Sequence, residues 1–380
     1  MAKILILGGG FGGLACANRL RAELPPAHDI TLIDRRERFT IGAAKLWHIV
    51  GLRDLETSSR PLTRLETKGI RFVQADIASF DPAVRTVETT QGTFAADFLV
   101  VALGAAFAPK QVEPLKPPAF NLYDPRAMPD IGFALAGLSE GRIVVCVMGV
   151  PYKCPPAPYE AAFLIDEHLR ETGRRDAIEL DVYTVQPSPL PVAGEEASAR
   201  VSTALAERGI GLHADHKGAV VDVPNRVARF EDGAEAPFDV LLGVPAHVPP
   251  PVIAQSALAG PKGWIEPDRA TLATAFDHVY AMGDSVAIYN AVGEVPKAGV
   301  FAEAEGLVVA DQILAAIDGR TPATFDGHGY CFLEFAGGRA AKVEGDFLAD
   351  PKPAVVFTEP DTATFEAKQR FVDERLAAWL

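Results

Sequence analysis

Cysteine is the residue of this chain best suited to covalent chemistry, and one of its four cysteines stands apart. Cys154 lies in Val150-Pro151-Tyr152-Lys153-Cys154-Pro155-Pro156-Ala157-Pro158-Tyr159-Glu160. A thiol reacts as its thiolate, and two features of this segment favour the anion. Lys153 is an adjacent cation. The prolines suit the first turn of a helix through Ala161, Leu164, Ile165 and Leu169, which would set Cys154 at the positive end of a helix dipole. The segment alone supports a reactive sulfur and an inert one equally. Cys331, far downstream in Gly327-His328-Gly329-Tyr330-Cys331-Phe332-Leu333, is the second candidate. Cys16 and Cys146 sit in apolar runs and read as packed core. The spacings match no zinc site, and no metal is expected.

Such sulfurs need a scaffold. Lys3-Ile4-Leu5-Ile6-Leu7 reads as a buried parallel strand, followed by a glycine turn, a helix through Leu14, Ala17 and Leu20, and a second strand, Asp29 to Asp34. Gly8, Gly10 and Gly13 fit G-x-G-x-x-G, with Phe11 inside the motif, and Asp34 falls about twenty residues on. In this context the glycines let the backbone approach a pyrophosphate at a helix N-terminus. Asp97 to Ala105 is a further strand with a turn at Gly104. A second αβ region opens at Gly141 to Val147, but its turn, Met148-Gly149-Val150-Pro151, lacks the glycine fingerprint and leads to Cys154. The predicted fold is α/β, with two Rossmann-like dinucleotide-binding domains and a short C-terminal region. Residues 1–110 and 235–320 make the first domain, 111–234 the second with Cys154, and 321–380 the region with Cys331. Asp239 to Pro245 is expected to return the chain to the first domain.

Hydrophobic residues at 48% and charged residues at 23% suit a globular protein. The net charge of −14 argues against nucleic acid as the main partner. No stretch is apolar enough to span a bilayer. The last segment, with Phe365, Val372, Leu376 and Trp379 near helical spacing, offers an apolar face for packing, a homodimer or peripheral membrane contact. Packing is the default. The compartment is cytoplasmic or peripheral if the chain starts at Met1, and periplasmic if a signal peptide preceded it.

Together these motifs, with Gly283-Asp284 after the strand at His278 to Met282, resemble the two-dinucleotide-binding-domain flavoproteins. The resemblance implies FAD on the Gly8–Gly13 motif and Asp34, with Gly104, Gly283 and Asp284 completing its site. Lys153 to Glu160 looks like the first redox-cysteine segment of sulfide:quinone oxidoreductases and flavocytochrome c sulfide dehydrogenases. Pro296-Lys297-Ala298-Gly299 is similar to the segment that covers the flavin pyrimidine edge there. Cys331 falls where that family keeps its second redox cysteine. Phe39-Thr40-Ile41-Gly42 has no cysteine for a covalent link, so FAD is expected to be non-covalent, and Asn121 to Pro125 lacks the third cysteine many relatives use.

What the resemblance implies is sulfide oxidation to sulfur or polysulfide through a Cys154–Cys331 pair. Electrons pass through FAD to a quinone or cytochrome c. Glu160 suits a proton relay, or is an ordinary acid of a first helical turn. Lys297 is expected to stabilise charge on the reduced flavin. His328 could assist Cys331, and His213 and His216 look faintly like a metal pair beside Asp215 but suit a solvated turn better. Two other functions compete: an NADH-dependent flavoprotein such as a type II NADH:quinone or disulfide reductase, and a non-enzymatic electron-transfer partner or redox sensor.

Overall fold

The computed structural model describes residues 1–380 and organises them around two parallel sheets. The first contains Lys3–Leu7 (β1), Asp29–Asp34 (β2), Arg71–Gln74 (β3) and Phe98–Val101 (β4). The second contains Ala119–Asn121 (β5), Gly141–Val147 (β6), Ile178–Thr184 (β7), Gly211–His213 (β8) and Val240–Val244 (β9). Val279–Ala281 (β10) then returns to the first sheet. The spatial orders are β10-β4-β1-β2-β3 and β5-β9-β6-β7-β8, with every neighbour parallel. Ile4 to Leu7 and Ile143 to Val147 are buried throughout, as parallel strands covered on both faces must be.

One expectation fails here. The strand at Val240–Val244 belongs to the second sheet, where Leu241 pairs with Val144 and Leu242 with Phe120. The second sheet therefore extends past residue 235, and the chain crosses back between Val244 and Val279. A fully apolar run fits either parallel sheet, so only its pairing decides.

Two helices set the geometry of the first crevice. Helix α1 (Phe11–Glu23) follows β1 directly. Gly13 is obligatory, because a Cβ there would stand 1.9 Å from the Gly8 carbonyl oxygen. A long helix near the end, Gly299–Asp318, crosses α1 so closely that a Cβ on Gly306 would lie 2.4 Å from the Gly12 oxygen. The N-terminus of α1 thus sits between β1 and β4, where the strand order reverses and an open α/β sheet binds its ligand.

Helices α2 (Gly42–Ile49) and α3 (Ala157–Glu171) precede that crossing helix, which is α4. After α4 comes an antiparallel sheet of His328–Glu334 (β11), Ala340–Asp346 (β12) and Ala354–Phe357 (β13), and then α5, Thr362–Trp379. The apolar face of α5 packs on the body. Phe371, Val372, Leu376 and Trp379 are buried, and the Phe11 ring stacks on Phe371 at 6.0 Å and meets Trp379 edge-on at 5.4 Å. That contact uses the face the sequence left open to a membrane or a dimer. No helix is long and apolar enough to cross a membrane.

Candidate functional site

Cys154 sits in the loop between β6 and α3, and three hydrogen bonds fix its main chain. Its N–H donates to the Lys297 carbonyl (2.7 Å), and its own carbonyl accepts from Ala157 N–H (3.0 Å) and Tyr123 Oη (3.1 Å). Together they hold a non-glycine residue at φ +49°, a conformation that persists only where its surroundings enforce it. Helix α3 starts three residues later, at Ala157, so the thiol is not among its first amides. Nor does Lys153 activate it. The thiol is pushed up to about 12, first by burial and then by Glu160; Lys368 is the strongest cation opposing this, followed by Lys45. The activated thiolate expected from the sequence is therefore not a property of this loop alone, because dense packing outweighs the nearby cations.

Cys331 lies within β11, opposite Val343 on β12. Burial raises its pKa first, and the nearby charges of Cys154 and Glu160 raise it further, which brings the two sulfurs into one electrostatic neighbourhood. All four cysteines are free thiols. Strand alternation puts Tyr330 and Phe332 on the other face of β11 from Cys331, and His328 with them. His328 is exposed and faces Glu344 at 3.5 Å, so the structure does not bring it to the sulfur. His213 and His216 pair separately with Asp181 and Asp232.

The residue that sequence reasoning missed is Lys368. Only 1% exposed, it reaches from α5 into the interior. Its Nζ donates to Glu160 on α3 and, at 2.7 Å, to Glu334 on β11. Glu334 Oε2 also accepts from Trp47 Nε1 of α2 (2.8 Å), and its N–H donates to Glu160 Oε2 (3.3 Å). Glu160 is thus no surface acid of a first turn. Burial holds its carboxyl above the usual range, with Lys368 opposing and Glu334 reinforcing. A signal existed: position 368 falls on the apolar stripe of α5, three residues after Phe365 and four before Val372, where a lysine must be paired or buried.

The residues expected to hold a cofactor fall around the first crevice. Gly104 N–H donates to Ser285 Oγ (2.8 Å), tying the β4 turn to the Gly283-Asp284-Ser285 turn. Asp284 Oδ1 is buried without any hydrogen-bond partner. An orphaned acceptor in the Gly283 turn, together with a glycine-rich start of α1, fits a ligand that brings both hydroxyls and a pyrophosphate, as FAD does. Asp34 lies at the end of β2 as expected, but its carboxylate already accepts from Gly9 N–H (2.7 Å) and from the Arg36 guanidinium (2.7 and 3.0 Å). Phe11 contributes backbone at the helix start, while its ring anchors α5. Lys297 is buried, with Nζ on the Val286 carbonyl (2.7 Å), 3.0 Å from Glu294 and over the Trp264 ring. Its cation is compensated there, and its carbonyl is what reaches Cys154.

Two expected results follow. Gly13→Ala drives backbone against backbone and should lose most bound flavin, read as the ratio of flavin to protein absorbance; full occupancy would contradict the assigned cradle. Glu305, on α4, accepts from Gly283 N–H (2.5 Å) and is raised by burial to about 7. A carboxyl whose folded pKa is raised binds more protons folded than unfolded. Its contribution to stability is therefore present at low pH and lost as pH rises from about 4.3 towards about 7, by up to about 1.4 kcal/mol per pH unit. In the flavin-free protein, Glu305→Gln should flatten that slope in denaturant titrations. An unchanged slope would assign the titration elsewhere.

Beyond Cys331, Tyr330 and Phe332 line a groove of about 290 Å³ with Phe371 and Arg375 of α5 and Lys342 of β12. Phe371 meets Tyr330 and Phe332 edge-on at 6.2 and 6.0 Å.

Comparison with known proteins agrees with this architecture. The pyridine nucleotide-disulphide oxidoreductase family model matches residues 2–146. Mitochondrial sulfide:quinone oxidoreductase of Mus musculus is 23% identical over 372 residues, spanning 94% of this chain and 81% of that protein. Sulfide-quinone reductase of Aquifex aeolicus is 28% identical over 336 residues, spanning 83% and 76%. Type II NADH:quinone oxidoreductase of Staphylococcus aureus is 23% identical over 347 residues, spanning 85% of each. The X-ray structure of the Aquifex aeolicus sulfide:quinone oxidoreductase shares the fold, with a TM-score of 0.88 at 23% identity over 98% of this chain and 90% of that one.

Proposed function

This chain is a flavin-dependent oxidoreductase that resembles sulfide:quinone oxidoreductases, and from that premise we propose that it oxidises hydrosulfide at Cys154 and Cys331 and passes the electrons through FAD to a quinone. The observation that supports the reading is that two partly buried free thiols from distant parts of the chain, Cys154 and Cys331, feel each other's charge. Glu160 acts on both sulfurs, and Lys368 acts on Cys154.

The chemistry balances as follows. In the oxidised pair, hydrosulfide attacks one sulfur of a Cys154–Cys331 disulfide. An S–S bond to the incoming sulfur forms, the bond between the cysteines breaks, and the other cysteine leaves as a thiolate. Re-closure with the new sulfur between the cysteines releases one proton and two electrons. FAD, when bound, supplies the two-electron acceptor. The proton passes to the carboxylate of Glu160, which burial holds above the usual carboxylate range, and its Lys368 partner steadies the thiolate. Lys297 acts through its carbonyl, which fixes Cys154. The similarity to sulfide:quinone oxidoreductase and sulfide-quinone reductase supports a quinone as the acceptor.

A second reading, an NADH-dependent reductase, is supported by the Staphylococcus relative. The turn after β6 argues against it. A helix start binds a pyrophosphate through free amides, but in α3 Ala157 N–H is bonded to Cys154 O, Pro158 has none, and Tyr159 N–H is bonded to Pro156 O. The Gln111 amide also fills the β6 turn, donating to Met148 O (3.0 Å) and accepting from Ala246 N–H (2.7 Å). Anaerobic mixing decides between them. Sulfide should bleach the flavin within the enzyme's turnover time while NADH does not; rapid bleaching by NADH alone would reverse the assignment.

A further inference from the structure

The segment carrying the chain back from the second sheet holds a buried histidine that the reaction above does not use. His247 is 2% exposed, and its N–H donates to the Pro151 carbonyl at 2.7 Å, three residues before Cys154. Its ring meets Phe107 and Tyr123 edge-on at 5.1 and 5.4 Å. Nδ1 lies 3.1 Å from the Pro245 carbonyl oxygen. A carbonyl only accepts, so Nδ1 carries the hydrogen and Nε2 is a lone pair. That Nε2 is buried and has no partner.

Protonation does not relieve it. Burial lowers the pKa to about 3, and the charge of Lys153 lowers it next, followed by those of Lys297 and Lys45. The lone pair thus persists throughout the working pH range. A buried acceptor in this state calls for a donor from outside the protein.

The chemistry of that donor is set by Lys153. Its ammonium lies over the same Phe107 ring, 5.7 Å from the centroid; Asp284 is the charge that acts on it most, but no carboxylate comes within ion-pair distance. A cation and a lone-pair acceptor on one aromatic ring, against the Cys154 loop, suit a small anion that still carries one hydrogen. Hydrosulfide has that form: its charge faces Lys153 and its S–H donates to Nε2. An anion with acceptors only, such as sulfate, would set lone pair against lone pair.

We propose that His247 Nε2, Lys153 and the Phe107 ring form the subsite that holds hydrosulfide before it attacks the Cys154–Cys331 pair. This rests on the sulfide-oxidising reading and adds to it a residue that selects the protonated monoanion.

Rapid-mixing flavin reduction at a series of sulfide concentrations tests it, using flavin-loaded wild type, His247→Leu, His247→Gln and Lys153→Met. In His247→Leu and in Lys153→Met, the sulfide concentration giving half the limiting rate should rise about tenfold, a loss that added sulfide recovers. His247→Gln, which keeps a side-chain acceptor, should recover most of the loss. If wild type is bleached and both His247→Leu and Lys153→Met match its concentration dependence, the subsite is refuted while the function stands. If sulfide fails to bleach wild type, both fall. Should His247→Leu not hold flavin, Lys153→Met and His247→Gln carry the test: wild-type dependence in Lys153→Met, or a tenfold loss in His247→Gln, overturns the proposal.

Discussion

Cys154→Ser is expected to bind flavin at wild-type occupancy and to reduce it with sulfide at least about a thousandfold more slowly. Its main chain is held by Lys297 O, Ala157 N–H and Tyr123 Oη, none of which touches the side chain. Serine therefore keeps the loop. The residues proposed to hold flavin, from Gly8 to Asp34 and at Gly104, Gly283 and Asp284, come from other elements. A hydroxyl forms no disulfide with Cys331, so hydrosulfide has no sulfur to attack. Stopped-flow flavin absorbance reads the rate, and dithionite confirms that the flavin remains reducible. Wild-type bleaching by sulfide in this variant would remove Cys154 from the reaction.

The second large effect is on stability. Lys368→Met strands Glu160 and Glu334, both buried, without the ammonium that joins them. Breaking a buried ion pair from one side costs about 3–5 kcal/mol. The pH dependence follows from the signs. The raised pKa of Lys368 means that its stabilisation is complete below the ordinary lysine value and is lost only in strong alkali. The raised pKa of Glu160 means that it is protonated more readily folded than unfolded, so the damage in Lys368→Met should shrink as pH falls through that raised value. Urea denaturation of both proteins at mildly acidic and mildly alkaline pH measures this, and Glu160→Gln on the Lys368→Met background should restore part of the loss. A loss under about 1 kcal/mol, equal at both pH values, would mean that the three groups are not the charged network described.

The first sheet and its glycine turn were legible because several local signals agree there: an apolar strand, a motif that only glycine satisfies, and an acid at the end of β2. Cys154 was legible by its odd setting, though not its chemistry. Sequence adjacency made Lys153 the obvious activator, yet the cation acting most on the thiol is Lys368, more than two hundred residues away. Long-range burial has no local signature. The same holds for Val240–Val244, whose apolar run carries no mark of which sheet it joins. His247 was passed over for a related reason. A histidine between prolines reads as loop, and only packing against Phe107 and Tyr123 makes its Nε2 an unsatisfied acceptor.

The central claim is that Cys154 and Cys331 act as one redox pair between sulfide and flavin. Peptide mapping by mass spectrometry tests it most directly, on protein oxidised in air and then treated anaerobically with sulfide while flavin absorbance is followed. The account expects a peptide linked through Cys154 and Cys331, directly or through added sulfur, that opens or gains sulfur as the flavin bleaches. Two thiols fully open to alkylation before and after bleaching, with no linked or sulfur-bearing peptide, would contradict it.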